Sequence, residues 1–191
     1  MERDEYLVAI KTRMPEKRYI HTIGVMNTAI SLAEKYGENI KTAETAAILH
    51  DIAKYADEDW MRQIVREHNL DSRLVDWGSE ILHGPVGAWI AQTEFNITNE
   101  DLLNSIRFHT TGRPGMSKLE KIIYVSDMIE PNRKFDGVEK LRELANSDLE
   151  LAVKACTCHT LAYLIKTEQQ IFPLSLECYN YVISENAKSV L

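Results

Sequence analysis

The dipeptide His50-Asp51 is the feature that most constrains how this chain can fold. It follows the run from Thr45 to Leu49, whose small and branched apolar side chains are typical of a buried helix. An unpaired imidazole or carboxylate in such a place is costly, because burial removes its water without replacing the lost interactions. The fold must therefore bring compensating groups to His50-Asp51, and a bound cation is the simplest compensation.

Apolar residues recur at three- and four-residue spacing along most of the chain, and this spacing predicts an all-α fold. Glycine supports the end of a long helix at Tyr36-Gly37. A further helix is predicted from about Lys41 to Tyr55, carrying His50-Asp51. Another is predicted to open at His83-Gly84-Pro85, because proline is favoured early in a helix.

The length of the chain favours one domain. At 191 residues and 45% hydrophobic content, it can bury one substantial core. The sequence shows no linker and no internal repeat. We therefore expect one compact multi-helix domain over 1–191, with a metal-binding core at about 16–133 and C-terminal helices at about 137–191 packed on it.

Charge restricts the class of ligand. A formal net charge of −7 argues against a protein that binds a nucleic acid polymer. The stretch from Arg107 to Lys134 nevertheless carries six basic and three acidic residues, which suits a small phosphorylated ligand. No apolar run reaches membrane-spanning length, and the charged start is unlike a signal peptide. We therefore expect a cytoplasmic protein without a membrane partner.

The three cysteines, Cys156, Cys158 and Cys178, are an odd and sparse set that fits reduced thiols. A metal clip at Cys156, Cys158 and His159 is disfavoured, because helical residues two apart point to different faces and no second pair lies nearby. The role of the cysteines stays open.

Four histidines and two aspartates lie beside helix termini or on apolar helix faces: His21, His50, Asp51, His83, His109 and Asp127. One such histidine alone is usually structural, since its nitrogens readily bind a backbone carbonyl. Six such residues over several helices indicate a metal site, because converging helices build sites of this kind. Imidazoles with carboxylates suit iron, manganese, cobalt or zinc and disfavour calcium.

The order of these six residues resembles the HD domain of metal-dependent phosphohydrolases. The surrounding segments 49–54, 81–85, 109–113 and 126–133 are similar to the YqeK family, HD proteins that hydrolyse diadenosine tetraphosphate symmetrically. The resemblance covers residues from His21 to about Asn180. In its C-terminal part the family tends to show a histidine before the proline and a threonine two residues after it, where this chain has Phe172 and Ser175.

The resemblance implies a dinuclear metal centre containing iron, with manganese, cobalt or zinc as alternatives. His21, His50, Asp51 and Asp127 would hold one ion, and His83 with His109 the second, with Asp51 as the bridge. It also implies that a metal-activated hydroxide cleaves a dinucleoside polyphosphate to two ADP. Whether the protein forms a homodimer is left open.

The predicted catalytic residues are Asp51, Lys54 and Arg133. Lys54 follows Asp51 by three residues, hence on nearly the same helix face, and can reach phosphate as a mobile charge. Arg133 can turn back toward the phosphates with a bidentate fork. The nucleotide-binding residues are predicted to be His21, Lys54, His83, His109, Thr110, Asp127, Arg133, Gln170, Ile171, Phe172, Pro173, Leu174 and Ser175.

Two other functions fit the same residues. An HD hydrolase could act on a deoxynucleotide, a guanosine polyphosphate or a cyclic dinucleotide. A nucleotide-sensing module could bind its ligand without forming a product. A core-packing role is the alternative for Phe172, because most aromatic residues at helical spacing are core.

Overall fold

A computed structural model describes the backbone of residues 3–188 and the side chains of residues 3–184. The α-helices are α1 (Arg3–Lys11), α2 (Glu16–Tyr36), α3 (Ile40–Leu49), α4 (Glu58–Glu67), α5 (Ser79–Glu94), α6 (Glu100–Arg107), α7 (Lys118–Ile129), α8 (Val138–Ser147), α9 (Leu149–Lys166) and α10 (Pro173–Lys188). A 3₁₀ helix, Ser72–Asp76, lies between α4 and α5. No β-strand occurs in the described range, and the all-α prediction is confirmed.

The core is arranged around α3. Its residues Ala43, Ala46, Ala47, Ile48 and Leu49 are all fully buried. Helices α1, α2, α6 and α7 pack against it, with α2 in the most extensive contact. The small alanine side chains allow the neighbouring helices to approach closely, which places the C-terminal end of α3 deep inside the molecule.

Helix α3 ends at Leu49, so the predicted helix through Tyr55 is wrong. His50 Nδ1 donates to the carbonyl oxygen of Ala47 at 2.7 Å. In a continuing helix that oxygen would accept the N–H of Asp51. The chain proceeds instead by turns in which each N–H donates three residues back, from Ile52 to Leu49, from Lys54 to Asp51 and from Ala56 to Ala53.

Helix α5 begins at Ser79, four residues before the predicted start at His83. The N–H of Ser79 donates to Glu58 Oε1 of α4 at 2.9 Å. The helix is therefore capped by a side chain distant in sequence, which local spacing does not reveal. Pro85 lies inside the helix, where its missing N–H removes the bond to the carbonyl of Ile81.

Gly84 permits a close crossing of α5 and the end of α6. A Cβ atom at Gly84 would lie 2.8 Å from the carbonyl oxygen of Arg107 and 3.3 Å from that of Ile106. Any larger residue would push the two helices apart. The crossing brings His83 of α5 to His109, which follows α6.

The loop between α7 and α8 is held from one side by Arg142 of α8. The Arg142 guanidinium donates to the carbonyl oxygens of Ile129 at 2.9 Å, Glu130 at 2.8 Å and Arg133 at 3.1 Å. Three backbone acceptors on one guanidinium fix the path of the loop.

Across the described chain, every helix is too short or too polar to cross a bilayer.

Candidate metal centre

The fold brings all six predicted metal ligands together. His21 comes from α2, His83 from α5 and Asp127 from α7. His50 and Asp51 directly follow α3, and His109 follows α6. His50 and Asp51 are 0% and 1% exposed. The residues therefore form one buried cluster where five helices converge.

Asp51 lies between two pairs of histidines. Its Oδ2 atom is 3.0 Å from His50 Nε2 and 3.7 Å from His21 Nε2. Its Oδ1 atom is 3.3 Å from His83 Nε2 and 3.8 Å from His109 Nε2. Because each oxygen faces a different pair, this carboxylate is placed to contact two neighbouring cation positions.

Asp127 completes one of the two groups. Its Oδ1 atom is 3.0 Å from His21 Nε2 and 4.0 Å from His50 Nε2. In the other group, the Nε2 atoms of His83 and His109 are 3.0 Å apart. If both Nε2 atoms carry lone pairs, they cannot form a hydrogen bond with each other. A cation between them and Asp51 would accept both lone pairs.

Three of the imidazoles are oriented by the backbone of their own helix. In His50, His83 and His109, the Nδ1 atom donates to a main-chain carbonyl. The acceptors are Ala47 at 2.7 Å, Ser79 at 2.8 Å and Ile106 at 2.8 Å. A carbonyl can only accept, so a hydrogen lies on Nδ1; in the neutral form of each ring the lone pair is then on Nε2, which faces the cluster.

The residues present fit a divalent metal. Within the described residues, the buried Nε2 atoms of His21 and His50 and both oxygens of Asp51 have no hydrogen-bond partner. Leaving such atoms unsatisfied is costly. All four offer lone pairs, and imidazole with carboxylate suits a first-row transition metal. The cluster therefore offers buried donor atoms that a metal ion would satisfy.

Both carboxylates carry charge. Burial alone would raise the pKa of Asp51, but the His50 imidazole beside it holds that pKa well below its usual range. Burial would likewise raise the pKa of Asp127, while the adjacent His21 imidazole and the Arg133 guanidinium hold it well below its usual range. Two negative charges thus face the histidines, as a cation site requires.

The His109 imidazole is neutral. Burial, reinforced by the neighbouring His83 and His50, lowers its pKa to about 3. A neutral imidazole keeps a lone pair on the nitrogen opposite its N–H. His109 is therefore in the form that binds a metal over the whole range near neutral pH.

A cavity of about 340 Å³ opens over His83, His109 and Asp127. The predicted cations Lys54 and Arg133 both line it. Lys54 Nζ is 2.5 Å from Glu80 Oε2. Arg133 Nη2 is 2.7 Å from Asp127 Oδ1. The turn after α3, rather than a shared helix face, places Lys54 here.

Arg18 also lines this cavity, although the sequence reasoning missed it. Its Nε atom is 2.6 Å from Asp51 Oδ2. Arg18 precedes His21 by three residues on α2, so the two side chains share a face. That spacing is the signal that would have identified it.

A second cavity, of about 370 Å³, adjoins the first and shares Thr110 with it. Its walls are largely apolar, including Leu74, Ile81, Pro85 and Phe108, and its cations are Arg73, Arg107 and Arg113. The two cavities together suit a ligand with an apolar end and an anionic end.

The C-terminal segment reaches this second cavity through Phe172 and Leu174. Phe172 is 3% exposed, and its ring packs edge-on against Trp77 at a centroid distance of 5.1 Å. It therefore forms a wall and also belongs to the core. The other predicted residues lie outside the lining: Gln170 and Pro173 are exposed, and Ile171 and Ser175 are half-buried.

Comparison with known proteins agrees with this geometry. The sequence model of the HD domain family matches residues 18–132. The chain belongs to the HD domain family. This HD domain contains the whole of the six-residue cluster, from His21 to Asp127, and ends immediately before Arg133.

Relatives extend the match over nearly the full chain. The HD protein is 47% identical over 184 residues to a Bacillus subtilis (strain 168) protein named "Bis(5'-nucleosyl)-tetraphosphatase, symmetrical", covering 96% of this chain and 99% of the relative. It is 48% identical over 185 residues to a protein of the same name from Halalkalibacterium halodurans, covering 97% and 99%. The predicted resemblance to the YqeK family is confirmed.

A solved structure shares the fold of this HD protein. It is described as a predicted HD superfamily hydrolase involved in NAD metabolism, from Clostridium acetobutylicum. The TM-score is 0.92 at 38% identity, over 97% of this chain and 98% of the other. The arrangement of helices, including those after residue 132, is therefore common to both proteins.

Proposed function

We propose that this HD protein is a metal-dependent phosphohydrolase that cleaves diadenosine tetraphosphate symmetrically to two ADP. The observation that carries the proposal is the position of Asp51, whose two oxygens face separate histidine pairs beneath a cavity lined by cations. The full-length relatives that bear the name of this activity support the choice of substrate.

The proposed cofactor is a dinuclear centre of iron, with manganese, cobalt and zinc as the alternatives. His21, His50, Asp51 and Asp127 would hold one ion, and His83 and His109 the other, with Asp51 shared. When bound, the ions supply Lewis-acid activation of water and stabilise charge on the attacked phosphoryl group. The chain itself must bind, orient and neutralise the substrate.

Three cations would neutralise the phosphates: Arg18, Lys54 and Arg133 all line the cavity above the ligands. The Thr110 hydroxyl lies at the junction of the two cavities and can donate to a phosphate oxygen. Phosphoryl transfer depends mainly on such positioning and charge neutralisation. The expelled ADP is a stable anion at neutral pH, so little general-acid catalysis is needed for its departure.

The second cavity would hold one adenosine. Its apolar walls suit a purine, and Arg73, Arg107 and Arg113 suit the polar edge of the base and the ribose. Phe172 and Leu174, two of the six C-terminal residues in the predicted nucleotide-binding set, would contribute walls. With adenosine held there, the two phosphates that follow extend past Thr110 to the metal ligands, and the scissile bond lies at the middle of the tetraphosphate.

Charge and cysteine content guide the proposals for the class of ligand and the location of the protein. The net charge of −7 supports a small phosphorylated ligand rather than a nucleic acid polymer. We propose a cytoplasmic location, which fits the free thiols of the three cysteines. We also propose that the chain forms a single domain, since residues before and after the loop at 110–115 line both cavities.

The decisive experiment is product analysis. Purified protein loaded separately with iron, manganese, cobalt or zinc would be incubated with a panel of dinucleoside polyphosphates, deoxynucleotides, guanosine polyphosphates and cyclic dinucleotides. We expect ADP as the product from diadenosine tetraphosphate. ATP with AMP would contradict symmetric cleavage. Preferred turnover of another nucleotide, or saturable binding without a product, would favour the corresponding alternative function.

Lys54→Ala is expected to lower kcat/KM about 10-fold with metal content unchanged, because a single partly solvated charge near phosphate contributes roughly that factor. Initial rates and metal analysis of the same preparation would measure both. Lys140→Ala is the matched control, since Lys140 is a 71% exposed lysine on α8. Loss of metal from Lys54→Ala, or a rate equal to that of the control, would contradict this role.

A further inference from the structure

We propose that Glu130 is a positioning residue for His21: its carboxylate holds the hydrogen of the imidazole on Nδ1, so that Nε2 presents a lone pair to the metal. The inference rests on the metal-dependent function proposed above. It concerns how the metal position is built, however, and it is testable without any nucleotide.

The carboxylate is buried and fully engaged. Glu130 is 1% exposed, and its Oε1 atom lies 3.1 Å from His21 Nδ1. Its Oε2 atom accepts the backbone N–H of Asn132 at 2.7 Å and the Asn132 side-chain amide at 3.0 Å. Both oxygens are therefore committed, and the group cannot turn away from His21 without losing hydrogen bonds in a buried place.

His21 differs from the other three histidines in how it is oriented. His50, His83 and His109 donate to a main-chain carbonyl of the same segment. His21 lies within the uninterrupted helix α2, and its Nδ1 faces a side chain from a different part of the molecule. The orientation of this one ligand can therefore be changed by a single substitution elsewhere in the chain.

The Glu130 carboxylate packs against helix α2 at a position where the helix has no side chain. Gly24 follows His21 by three residues and so lies on the same face. A Cβ atom at Gly24 would lie 3.2 Å from Glu130 Cδ and still closer to Oε2. Glycine is thus needed here for space, because any side chain would displace the carboxylate from the position that reaches His21.

The other end of Glu130 is also fixed. Its carbonyl oxygen accepts a hydrogen bond from Arg142 of α8 at 2.8 Å. The carboxylate and the main-chain carbonyl of Glu130 are thus both held in place by hydrogen bonds before a metal binds. Such preorganised partners of metal-binding histidines set the ring orientation and strengthen the ligand.

A glutamine at this position would reverse the hydrogen-bond pattern. The Asn132 donors would attract the glutamine carbonyl, which leaves the NH₂ group facing His21. Nδ1 must then accept, so the imidazole hydrogen moves to Nε2, the nitrogen that faces Asp51 and Asp127. The volume is unchanged, so the effect would come from the position of this hydrogen and from the loss of one negative charge.

We expect Glu130→Gln to weaken metal binding about 10- to 100-fold, the usual effect of removing such a partner. Competition against a chelator, with manganese and zinc as the probe metals, would measure the affinity without substrate. In the metal-free protein, ¹⁵N NMR of the imidazoles would report the tautomer of His21, which we expect to change from Nδ1–H to Nε2–H.

The matched control is Glu120→Gln. Glu120 is an equally buried carboxylate that pairs with Arg113 at 2.6 Å rather than with a histidine. We expect it to leave metal affinity unchanged.

Glu130→Asp is the second variant. It keeps the charge but is too short to reach His21, and we expect a loss of metal affinity similar to that of Glu130→Gln.

Wild-type metal affinity in folded Glu130→Gln or Glu130→Asp protein, or an Nδ1–H tautomer retained in Glu130→Gln, would overturn the proposal. An equal loss of affinity in Glu120→Gln would overturn it too, because the effect would then come from buried charge in general. A protein that binds metal as described but does not cleave diadenosine tetraphosphate would defeat the proposed function and leave this inference standing.

Discussion

Asp51→Asn is expected to lose bound metal and to lower hydrolysis by more than about 10³-fold, a larger loss than removal of one transition-state hydrogen bond causes. The reason is the placement of the carboxylate, whose Oδ2 faces His50 and whose Oδ1 faces His83. Asparagine keeps the shape but offers one oxygen, carries no charge and presents two N–H donors where a cation needs lone pairs. Metal content per chain and initial rate would be measured on the same gel-filtered sample.

Asp59→Asn is the control for this variant, because the Asp59 side chain is 93% exposed on α4. It is expected to keep both metal and activity. Full activity in metal-depleted Asp51→Asn protein would defeat the metal-dependent mechanism. Retained metal with lost activity would restrict Asp51 to a role toward substrate.

Arg133→Gln is expected to lower kcat/KM about 10²-fold while metal content is retained, the cost of removing one preorganised donor at a charged transition state. Two donors of Arg133 are committed to Asp127, namely Nη2 to Oδ1 at 2.7 Å and Nε to the carbonyl oxygen at 2.8 Å. The guanidinium is thereby held in one orientation, and the remaining N–H groups are available to phosphate oxygens in the cavity.

Arg133→Lys is expected to recover only part of the loss, since lysine restores the charge without the fork. Arg13→Gln, which removes a half-buried arginine paired with Glu94 at the surface, is the control distant from the site. Steady-state kinetics and metal analysis of all three variants would check the expectation. If Arg133→Gln loses metal in proportion to activity, Arg133 acts by holding Asp127 and not by binding phosphate.

The fold could be predicted from the sequence wherever local signals were strong. Gly37 ends α2 in the left-handed conformation, with φ of 66°, as expected. One of the two wrong boundaries arose from a local side-chain hydrogen bond and the other from a tertiary contact. The His50 side chain takes the carbonyl that would have extended α3, and Glu58 caps α5 from another helix. Periodicity carries no information about a hydrogen bond between segments far apart in sequence.

The ligand cluster could be predicted because HD motifs keep the ligand types and order. The residues around it could not be predicted so completely. Arg18 reads as a solvated helix charge until its 2.6 Å contact with Asp51 is seen. Glu130 reads as part of a turn before Pro131, because its partner His21 lies 109 residues earlier. Glu130, whose partner is distant in sequence, leaves no spacing pattern, whereas Arg18 leaves only its three-residue spacing from His21.

The contact of Arg142 with the loop after α7 has a consequence for how this protein can diverge. The module shared across the HD family ends at residue 132, whereas Arg142 lies beyond it and fixes the carbonyl groups of Glu130 and Arg133. The family match therefore ends within the loop between α7 and α8, between Glu130 and Arg133. Because one guanidinium holds both carbonyl groups, descendants that change Arg142 would shift the proposed support of His21 together with Arg133, so the proposed metal and phosphate contacts are coupled through α8.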